Sequence, residues 1–475
     1  MWTVEEILEA SQGALQGGRS SEKVAGFSID SRTVRPEELF IALRGPRFDG
    51  HDFVAQVLEK GAAGAIVARS EFHRREAEWR PGLNRRFLIT VEEPLSALQA
   101  MAAWRRRRFS VPVVGVTGSN GKTTTKEMTA AILSRRGPVL KNEGNLNNHI
   151  GLPLTLLRLE EGDRAAVLEM GISQKGEMRL LCGIARPTVG LITNIGPAHL
   201  EFLGDLEGVA KEKGDLFEAV RENGTAVINR DDPYLLPWEG RLTRAWSYAL
   251  DRPADVTADD IRQAPDGARF TLHLNRGGEK GPARLATVGR HQLYNALASA
   301  AAACALGCRF DEIREGLEMF RPAPLRTQIL RAGGARVLLD AYNANPASMK
   351  AALQALAEIM PPRDEIGRPP RKVAALGDML ELGRFAESAH FEVGEAAAKN
   401  GIDLLIAVGR WASHMAEGAR KGGMSPESVL VYETLEEAQK ELPALIREGD
   451  CLLIKGSRGM KMESLAPALG GEGTK

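Results

Sequence analysis

The stretch VPVVGVTGSNGKTTTKEM, residues 111–128, constrains the fold more than any other part of the chain. Its apolar run from Val111 to Val116 predicts a buried strand of a parallel sheet. Gly118, Ser119, Asn120 and Gly121 predict a tight turn, and Lys122 to Met128 the start of a helix. Strand, turn and helix start together describe a phosphate cradle. Glycines let backbone N–H groups approach an anion, the helix N-terminus adds partial positive charge, and Lys122 adds a full one. Thr123 follows the lysine, where a hydroxyl can ligate Mg²⁺ held by the same phosphates, and Thr124 belongs to the same turn. The common P-loop pattern has glycine where Val116 stands; here the glycines fall at Gly115, Gly118 and Gly121. An ordinary glycine-rich turn beside a surface lysine is the bland alternative. Strand, turn, Lys-Thr and helix in one register favour ATP or GTP, but the motif does not name a reaction.

The chain around this cradle is too long, at 475 residues, for one ordinary core and suggests about three domains. Lys+Arg and Asp+Glu are equal at 62 each, so no excess of basic charge argues for nucleic acid or a membrane surface. No apolar run reaches the roughly 18 residues of a membrane span. Met1–Ala10 carries glutamates where a secretion signal would be basic, and the cysteines lack zinc-site spacing. Cys304 and Cys308 are expected as reduced core residues. These features together predict a cytoplasmic protein.

The expected fold class is α/β in three parts. Residues 1–92 read as a small α/β domain, 93–321 as a central P-loop domain on a parallel sheet, and 322–475 as a Rossmann-like doubly wound domain. In the first part, the polar loops at Ser31-Arg32 and Asp49-Gly50-His51 could hold a ligand, although by themselves they fit turn and cap chemistry better. The run AAWRRRRF (102–109) reads as cations complementing the dipole of their own helix C-terminus. In the central part, AAVLEMG (165–171) predicts a strand delivering Glu169. VGLITNIGPAHLEFLG (189–204) predicts another, delivering Asn194 and then His199, and residues 251–290 read as antiparallel β. A long Pro-rich connection, PPRDEIGRPPRK (361–372), interrupts the last part. There, LDAYNANP (339–346) and LIKGSRGMKME (453–463) put polar residues just past strand ends.

Glu169, at the end of an apolar strand, is placed like the second carboxylate of a P-loop site, which holds Mg²⁺ directly or through water. An acidic helix cap is the plainer alternative. His199 becomes a ligand candidate because it follows a neighbouring strand end. Lys213 stays open on residue chemistry. As an ammonium it would be repelled by two Mg²⁺ ions, and could pair with a phosphate or carboxylate or face solvent. As a neutral amine it could take up CO₂ to give a carbamate, an anion able to ligate metal.

The motifs GVTGSNGKTTTKEM, GNLNNHIGLP, LEMG, TNIGPAHLE, AKEKGDLF, GRHQLYNALA, LLDAYNANPASM, GDMLELG and KGSRGMKME, in this order over nearly the whole chain, resemble the Mur ligases. Folylpolyglutamate synthetase shares the P-loop style, but the first domain here resembles the uridine-binding module of the Mur ligases. The resemblance implies an ATP-dependent amide ligase of peptidoglycan precursor synthesis. LLDAYNANPASM and GDMLELG favour the branch that joins D-alanyl-D-alanine to UDP-N-acetylmuramoyl-tripeptide. An Asp-Asn-Pro-Arg run, expected of the branch that adds diaminopimelate, is absent. A ligase adding diaminopimelate or lysine is the nearest alternative, and a nucleotide-binding regulator a more distant one. By the resemblance, Lys122 and Thr123 serve ATP phosphates and, with Glu169, a first Mg²⁺. His199 would bind a second Mg²⁺, and Lys213 matches a carbamylated lysine. Asn295 would contact adenine, Asp340 ribose, and Arg326 the γ-phosphate from the domain linker. Gln292 stands where many members carry asparagine. Asp49, Gly50 and His51, with Ser31 and Arg32, resemble the uridine-nucleotide site. Asn148 resembles a residue near the reacting substrate. From position alone, Asn343, Asn345 and Asp378 are candidates for selecting the dipeptide. A monomer is expected, with no nucleic-acid partner and no membrane insertion.

Overall fold

The structure is a computed structural model that describes residues 1–80, 83, 86–198, 200–264, 266–359 and 370–470. His199 and residues 361–369 of the Pro-rich connection lie outside the described residues.

Three large sheets follow one another along the chain. In the first, Gly26–Ser28, Glu38–Ile41, Gly64–Ala68 and Phe87–Val91 are parallel, and Ala14–Gln16 closes one edge antiparallel. The central sheet runs Val139–Lys141, Ala165–Glu169, Val113–Thr117, Val189–Ile192, Thr225–Asn229, Ala245–Tyr248 and Val256–Ala264, all parallel. Gly267–Leu274 and Glu279–Leu285 extend it antiparallel, as the pattern at 251–290 predicts. The third sheet has Leu404–Val408, Lys372–Gly377, Cys451–Lys455 and Ala335–Leu339 parallel at its centre. Val429–Tyr432 lies at one edge, and the antiparallel strand Gln328–Ala332 at the other.

Fully buried strands such as Val113–Thr117 need helices on both faces, and the central sheet has them. The helices Lys122–Leu133, Arg290–Ala305 and Phe310–Met319 cover one face. The alanines of Arg290–Ala305 keep that helix thin enough to lie close against Lys122–Leu133. Pro94–Arg107, Glu177–Ala185 and Leu206–Val220 cover the other face. This second core continues without a break into the first sheet through Trp2, Ile7, Ile89 and Leu98. The last sheet has a separate core on each face. Among the described residues, no helix is long and apolar enough to cross a membrane.

One local expectation needs correction and a second gains detail. The cradle strand begins at Val113, not Val111, because Pro112 has no N–H to enter a ladder. The arginines of AAWRRRRF do stand in the last turn of their helix, as expected, and two of them do more. Arg105 and Arg106 are buried, and their guanidiniums donate to Leu159 O (2.9 Å), Ala185 O (2.9 Å) and Phe109 O (2.6 Å). They tie the helix Pro94–Arg107 to the last residue of the helix Glu177–Ala185 and to the segment after the helix Gly151–Leu156, while Phe109 O lies just past their own helix.

Candidate functional site

Three adjacent parallel strands build the site. Ile192 is in register with Thr117, and Glu169 with Val116, so their carboxyl ends lie side by side, where open α/β sheets gather ligands. From Thr117 the chain turns through Gly118 (φ +145°) and Gly121 (φ +82°) into the helix Lys122–Leu133. Only glycine suits either position. A Cβ on Gly118 would collide with the Thr193 side chain, and one on Gly121 with Asn295.

The residues after the next strand clamp this loop. Ser119 N–H donates to Asn194 O at 2.9 Å and Ser119 Oγ to Gly196 O at 2.8 Å. Asn120 N–H donates to Asn194 Oδ1 at 3.0 Å, and Thr193 Oγ1 to Asn120 O at 2.6 Å. Lys122 curls back so that Nζ donates to Gly118 O (2.8 Å) and Ser119 O (3.2 Å). Burial lowers its pKa; Glu169 opposes that shift and Arg326 adds to it. Thr124 is buried in the first turn beside Thr123.

Glu169 is 3% exposed and fully engaged. Its Oε2 accepts from Thr123 Oγ1 at 2.7 Å and its Oε1 from Asn147 Nδ2 at 2.8 Å. Asn142 brackets the Glu169 backbone, accepting from N–H and donating to C=O, each at 2.9 Å. Buried Lys126 holds Asn142 O in turn, at 2.6 Å. Asn148, by contrast, is exposed and uses Oδ1 to cap the short helix Gly151–Leu156 through the N–H groups of Ile150 (3.1 Å) and Gly151 (2.9 Å).

Lys213 sits on the helix Leu206–Val220 and is buried at 2% exposure. The adjacent Glu212 fixes that helix, accepting from Gly176 N–H (2.9 Å) and Met178 N–H (3.0 Å) at the start of the helix Glu177–Ala185. Burial drives the Lys213 pKa well below its ordinary value, and the Lys122 charge lowers it further against the opposing pull of Glu212. The side chain is therefore held toward the neutral amine.

A polar chain leads from the cradle helix into the last domain. Thr125 Oγ1 donates to Asn295 Oδ1 (3.2 Å), Asn295 Nδ2 to Gln292 Oε1 (3.0 Å), and Gln292 Nε2 to Thr327 Oγ1 (3.1 Å). Thr327 N–H donates to Asp340 Oδ1 at 3.0 Å, and buried Lys455 to Asp340 Oδ2 at 2.6 Å. Gln292 thus carries an amide link toward the linker. Arg326 lies in the linker with Cζ 3.9 Å from the centroid of the Tyr342 ring, a cation–π contact. Asn345 caps the helix Pro346–Glu358 and also donates Nδ2 to Asn120 Oδ1 at 2.8 Å. Asn343 is exposed, its Oδ1 on Ala344 N–H (2.9 Å). The Asp378 carboxylate is buried on the N–H groups of Arg410 (2.8 Å) and Trp411 (3.1 Å).

In the first sheet, His51 is buried with both ring nitrogens engaged. Nε2 accepts from Ala68 N–H at 3.0 Å, and Nδ1 faces Asp49 Oδ1 at 2.6 Å. That arrangement places the proton on Nδ1 and leaves no ring nitrogen for a ligand. Burial would raise the Asp49 pKa, but the His51 N–H and ring and the Arg44 guanidinium hold it at about 2. Gly50 packs against the backbone at Ala42 and Leu43, so a side chain there would clash. Arg32 is exposed and pairs with Asp30 at 2.7 Å, and Ser31 offers its carbonyl to Lys60 at 2.9 Å.

The structure therefore gathers Gly118–Thr124, Glu169, Lys213 and, from the last domain, Arg326 and Asn345 around one cradle. The Asp49–His51 and Ser31–Arg32 loops belong to the first domain. Sequence reasoning missed Asn142, Asn147, Thr193 and Lys455. The first two stand in the asparagine-rich loop from which only Asn148 was singled out, and loop sequence carries no period that fixes which amide turns inward. Thr193 directly precedes the flagged Asn194. Lys455 lies within the flagged LIKGSRG stretch.

The chain matches three family descriptions: Mur ligase family, catalytic domain, over residues 23–106; Mur ligase middle domain over 116–303; and Mur ligase, glutamate ligase domain, over 325–458. The UDP-N-acetylmuramoyl-tripeptide–D-alanyl-D-alanine ligase of Bacillus subtilis is 36% identical, with 98% of each chain aligned. The ligase of the same name from Escherichia coli is 36% identical with 99% of each aligned. Among solved structures, MurF from Acinetobacter baumannii superposes with a TM-score of 0.85 at 32% identity over 98% of each chain. MurF ligase from Thermotoga maritima in complex with ADP gives 0.76 at 28% identity over 94% of this chain and 96% of that one.

Proposed function

The chain belongs to the Mur ligase family, and from that premise we infer an ATP-dependent amide ligase that joins D-alanyl-D-alanine to UDP-N-acetylmuramoyl-tripeptide, giving the pentapeptide precursor of peptidoglycan. The observation that carries this reading is the extent of the likeness. It runs at 36% identity from end to end, through the first and last domains that would distinguish substrates, and not through the nucleotide domain alone.

In this reading the Gly118–Gly121 turn, the Lys122 ammonium and the helix N-terminus receive the ATP phosphates. Asn295 and Asp340 face the nucleoside, and the Ser31-Arg32 and Asp49-Gly50-His51 loops of the first domain receive the uridine nucleotide. The donor set beside the cradle fits Mg²⁺. The Thr123 hydroxyl and the Glu169 carboxylate are hard oxygens already 2.7 Å apart, and Asn147 orients the second carboxylate oxygen. His199 would complete a second metal position. Bound Mg²⁺ supplies charge neutralisation on the transferring phosphoryl group.

A carboxylate is a poor electrophile, so ATP would first convert the terminal carboxylate of the tripeptide to an acyl phosphate. The D-alanyl-D-alanine amine would then displace phosphate. Lys122, and Arg326 from the linker, would stabilise the phosphoryl charge. Lys213 is held toward the neutral amine that CO₂ requires. Its nitrogen would form the N–C bond, release one proton to solvent and become an anionic carbamate at the metal side of the site. ATP and a UDP-linked substrate together support a cytoplasmic enzyme, which we take to act as a monomer.

The direct test measures phosphate release with Mg·ATP and UDP-N-acetylmuramoyl-tripeptide, with and without D-alanyl-D-alanine, and looks for the pentapeptide by mass. Dipeptide-dependent phosphate with pentapeptide supports the reading. If neither appears, the dipeptide assignment falls, and UDP-N-acetylmuramoyl-dipeptide with free diamino acids becomes the next substrate pair.

A further inference from the structure

Position in the sequence suggests that Asn345 selects the dipeptide, but its hydrogen bonds are already engaged. Its Oδ1 accepts from Ser348 N–H at 2.8 Å, capping the helix Pro346–Glu358. Its Nδ2 donates to Asn120 Oδ1 at 2.8 Å, across 225 residues of sequence. Asn120 is the residue of the phosphate turn that is held most heavily from outside. Its N–H is on Asn194 Oδ1 (3.0 Å), and its C=O accepts from Thr193 Oγ1 (2.6 Å) and Asn194 Nδ2 (3.1 Å). The central sheet therefore fixes its backbone, while the last domain holds its side chain.

We propose that Asn345 is a positioning residue, a latch by which the docked last domain sets the geometry of the phosphate turn through the side chain of Asn120. The argument rests on three features. First, the contact joins the start of a well-capped helix to the centre of the cradle, two rigid elements, so it transmits position rather than only adding affinity. Second, both partners are partly shielded amides, so losing the donor leaves a specific acceptor unpaired. Third, Gly118 and Gly121 have positive φ and no side chains, and the Ser119 hydroxyl is taken up by Gly196 of the central domain, leaving the Asn120 side chain as the turn's handle for a neighbouring domain. The latch forms only when the last domain lies against the cradle. The linker Arg326 and the dipeptide that this domain would carry reach the phosphates in the same arrangement, so docking and cradle geometry change together.

This inference rests on the ligase reading, and the test separates the two. Asn345→Ser and Asn345→Asp both retain a good helix N-cap, but the aspartate carries no donor and the serine hydroxyl is too short to span the distance that Asn345 Nδ2 bridges to Asn120 Oδ1. With wild-type enzyme confirming dipeptide-dependent phosphate release, each variant is expected to lower kcat about tenfold, as loss of one positioned hydrogen bond implies. KM for UDP-N-acetylmuramoyl-tripeptide and the melting temperature should hold. In an Asn120→Ala background, adding Asn345→Ser should produce no further loss, because the two residues act as one unit. Additive losses in the double variant would overturn the latch, as would a rise in KM confined to D-alanyl-D-alanine, which would return Asn345 to dipeptide selection. Wild-type kcat in both single variants would overturn it outright. If the wild-type enzyme itself shows no dipeptide-dependent turnover, the ligase reading fails instead.

Discussion

The Thr123 hydroxyl donates to the Glu169 carboxylate over 2.7 Å, bringing the end of one strand and the first turn of the neighbouring strand's helix together in a site 3% exposed at the glutamate. Both oxygens of this buried carboxylate are held, one by a hydroxyl and one by an amide. Glu169→Gln preserves the shape and leaves an oxygen for Thr123, while it removes the charge and turns an NH2 toward Asn147 Nδ2. We expect phosphate release to fall about a hundredfold, the scale for one preorganised electrostatic group. The fold should be unchanged by circular dichroism, and the residual rate should need more Mg²⁺. A rate within a few fold of wild type would remove Glu169 from the metal position.

Lys213 yields a prediction with a sign. Its folded-state pKa lies well below the ordinary 10.5, so between those values the unfolded chain binds more protons than the folded one. In CO₂-free buffer its contribution therefore grows more favourable as pH rises toward 10.5 and is lost as pH falls toward the lowered value. Lys213→Met removes this dependence. Its melting temperature should exceed wild type near pH 7, and the gap should close as pH rises. The same variant should lose ligase activity. Lys213→Ala should also be inactive and recover in part with a short carboxylic acid that replaces the carbamate. Wild-type turnover in Lys213→Ala without added acid would exclude the carbamate.

The sheets and their order were legible because buried parallel strands leave continuous apolar runs such as Val113–Thr117 and Ala165–Glu169, and strand ends then locate the polar residues. The amides that hold those residues were not legible. Asn147 and Asn148 are chemically identical neighbours, yet one turns in to Glu169 and the other caps a helix, a choice made by the loop's path. His51 shows the same limit: the sequence marks a polar loop, but only the fold brings the Ala68 N–H, on a strand distant in sequence, to its other ring nitrogen. Likewise, four consecutive arginines read only as partners of their helix dipole until the fold brings the carbonyls of Leu159 and Ala185 to two of them.

Those arginines make a prediction about stability. Arg106→Leu leaves Ala185 O and Phe109 O without their buried donor. A loss of about 2–3 kcal/mol is expected, since hydrogen bonds from a charged group are among the stronger ones. Chemical denaturation would measure it. A loss within about 1 kcal/mol would leave Arg106 no more than a partner of its own helix dipole.

His51 can be tested by substitution with an apolar ring. His51→Phe would leave the Ala68 N–H without its acceptor and the Asp49 carboxylate without the ring that faces it at 2.6 Å, although Arg44 remains at 2.9 Å. About 1–3 kcal/mol of stability should be lost, the range for orphaning a buried donor. Because the Asp49 pKa is depressed from 3.8 to about 2, its share of stability is present above 3.8 and lost as pH falls through about 2. The variant should therefore lose less additional stability than wild type over that acid window. If His51 instead touches the uridine nucleotide directly, His51→Phe would raise KM for the UDP substrate while leaving the melting temperature in place. A buried ring that joins Asp49 to the strand Gly64–Ala68 requires the opposite order, with the melting temperature falling first and KM following only as the loop loosens.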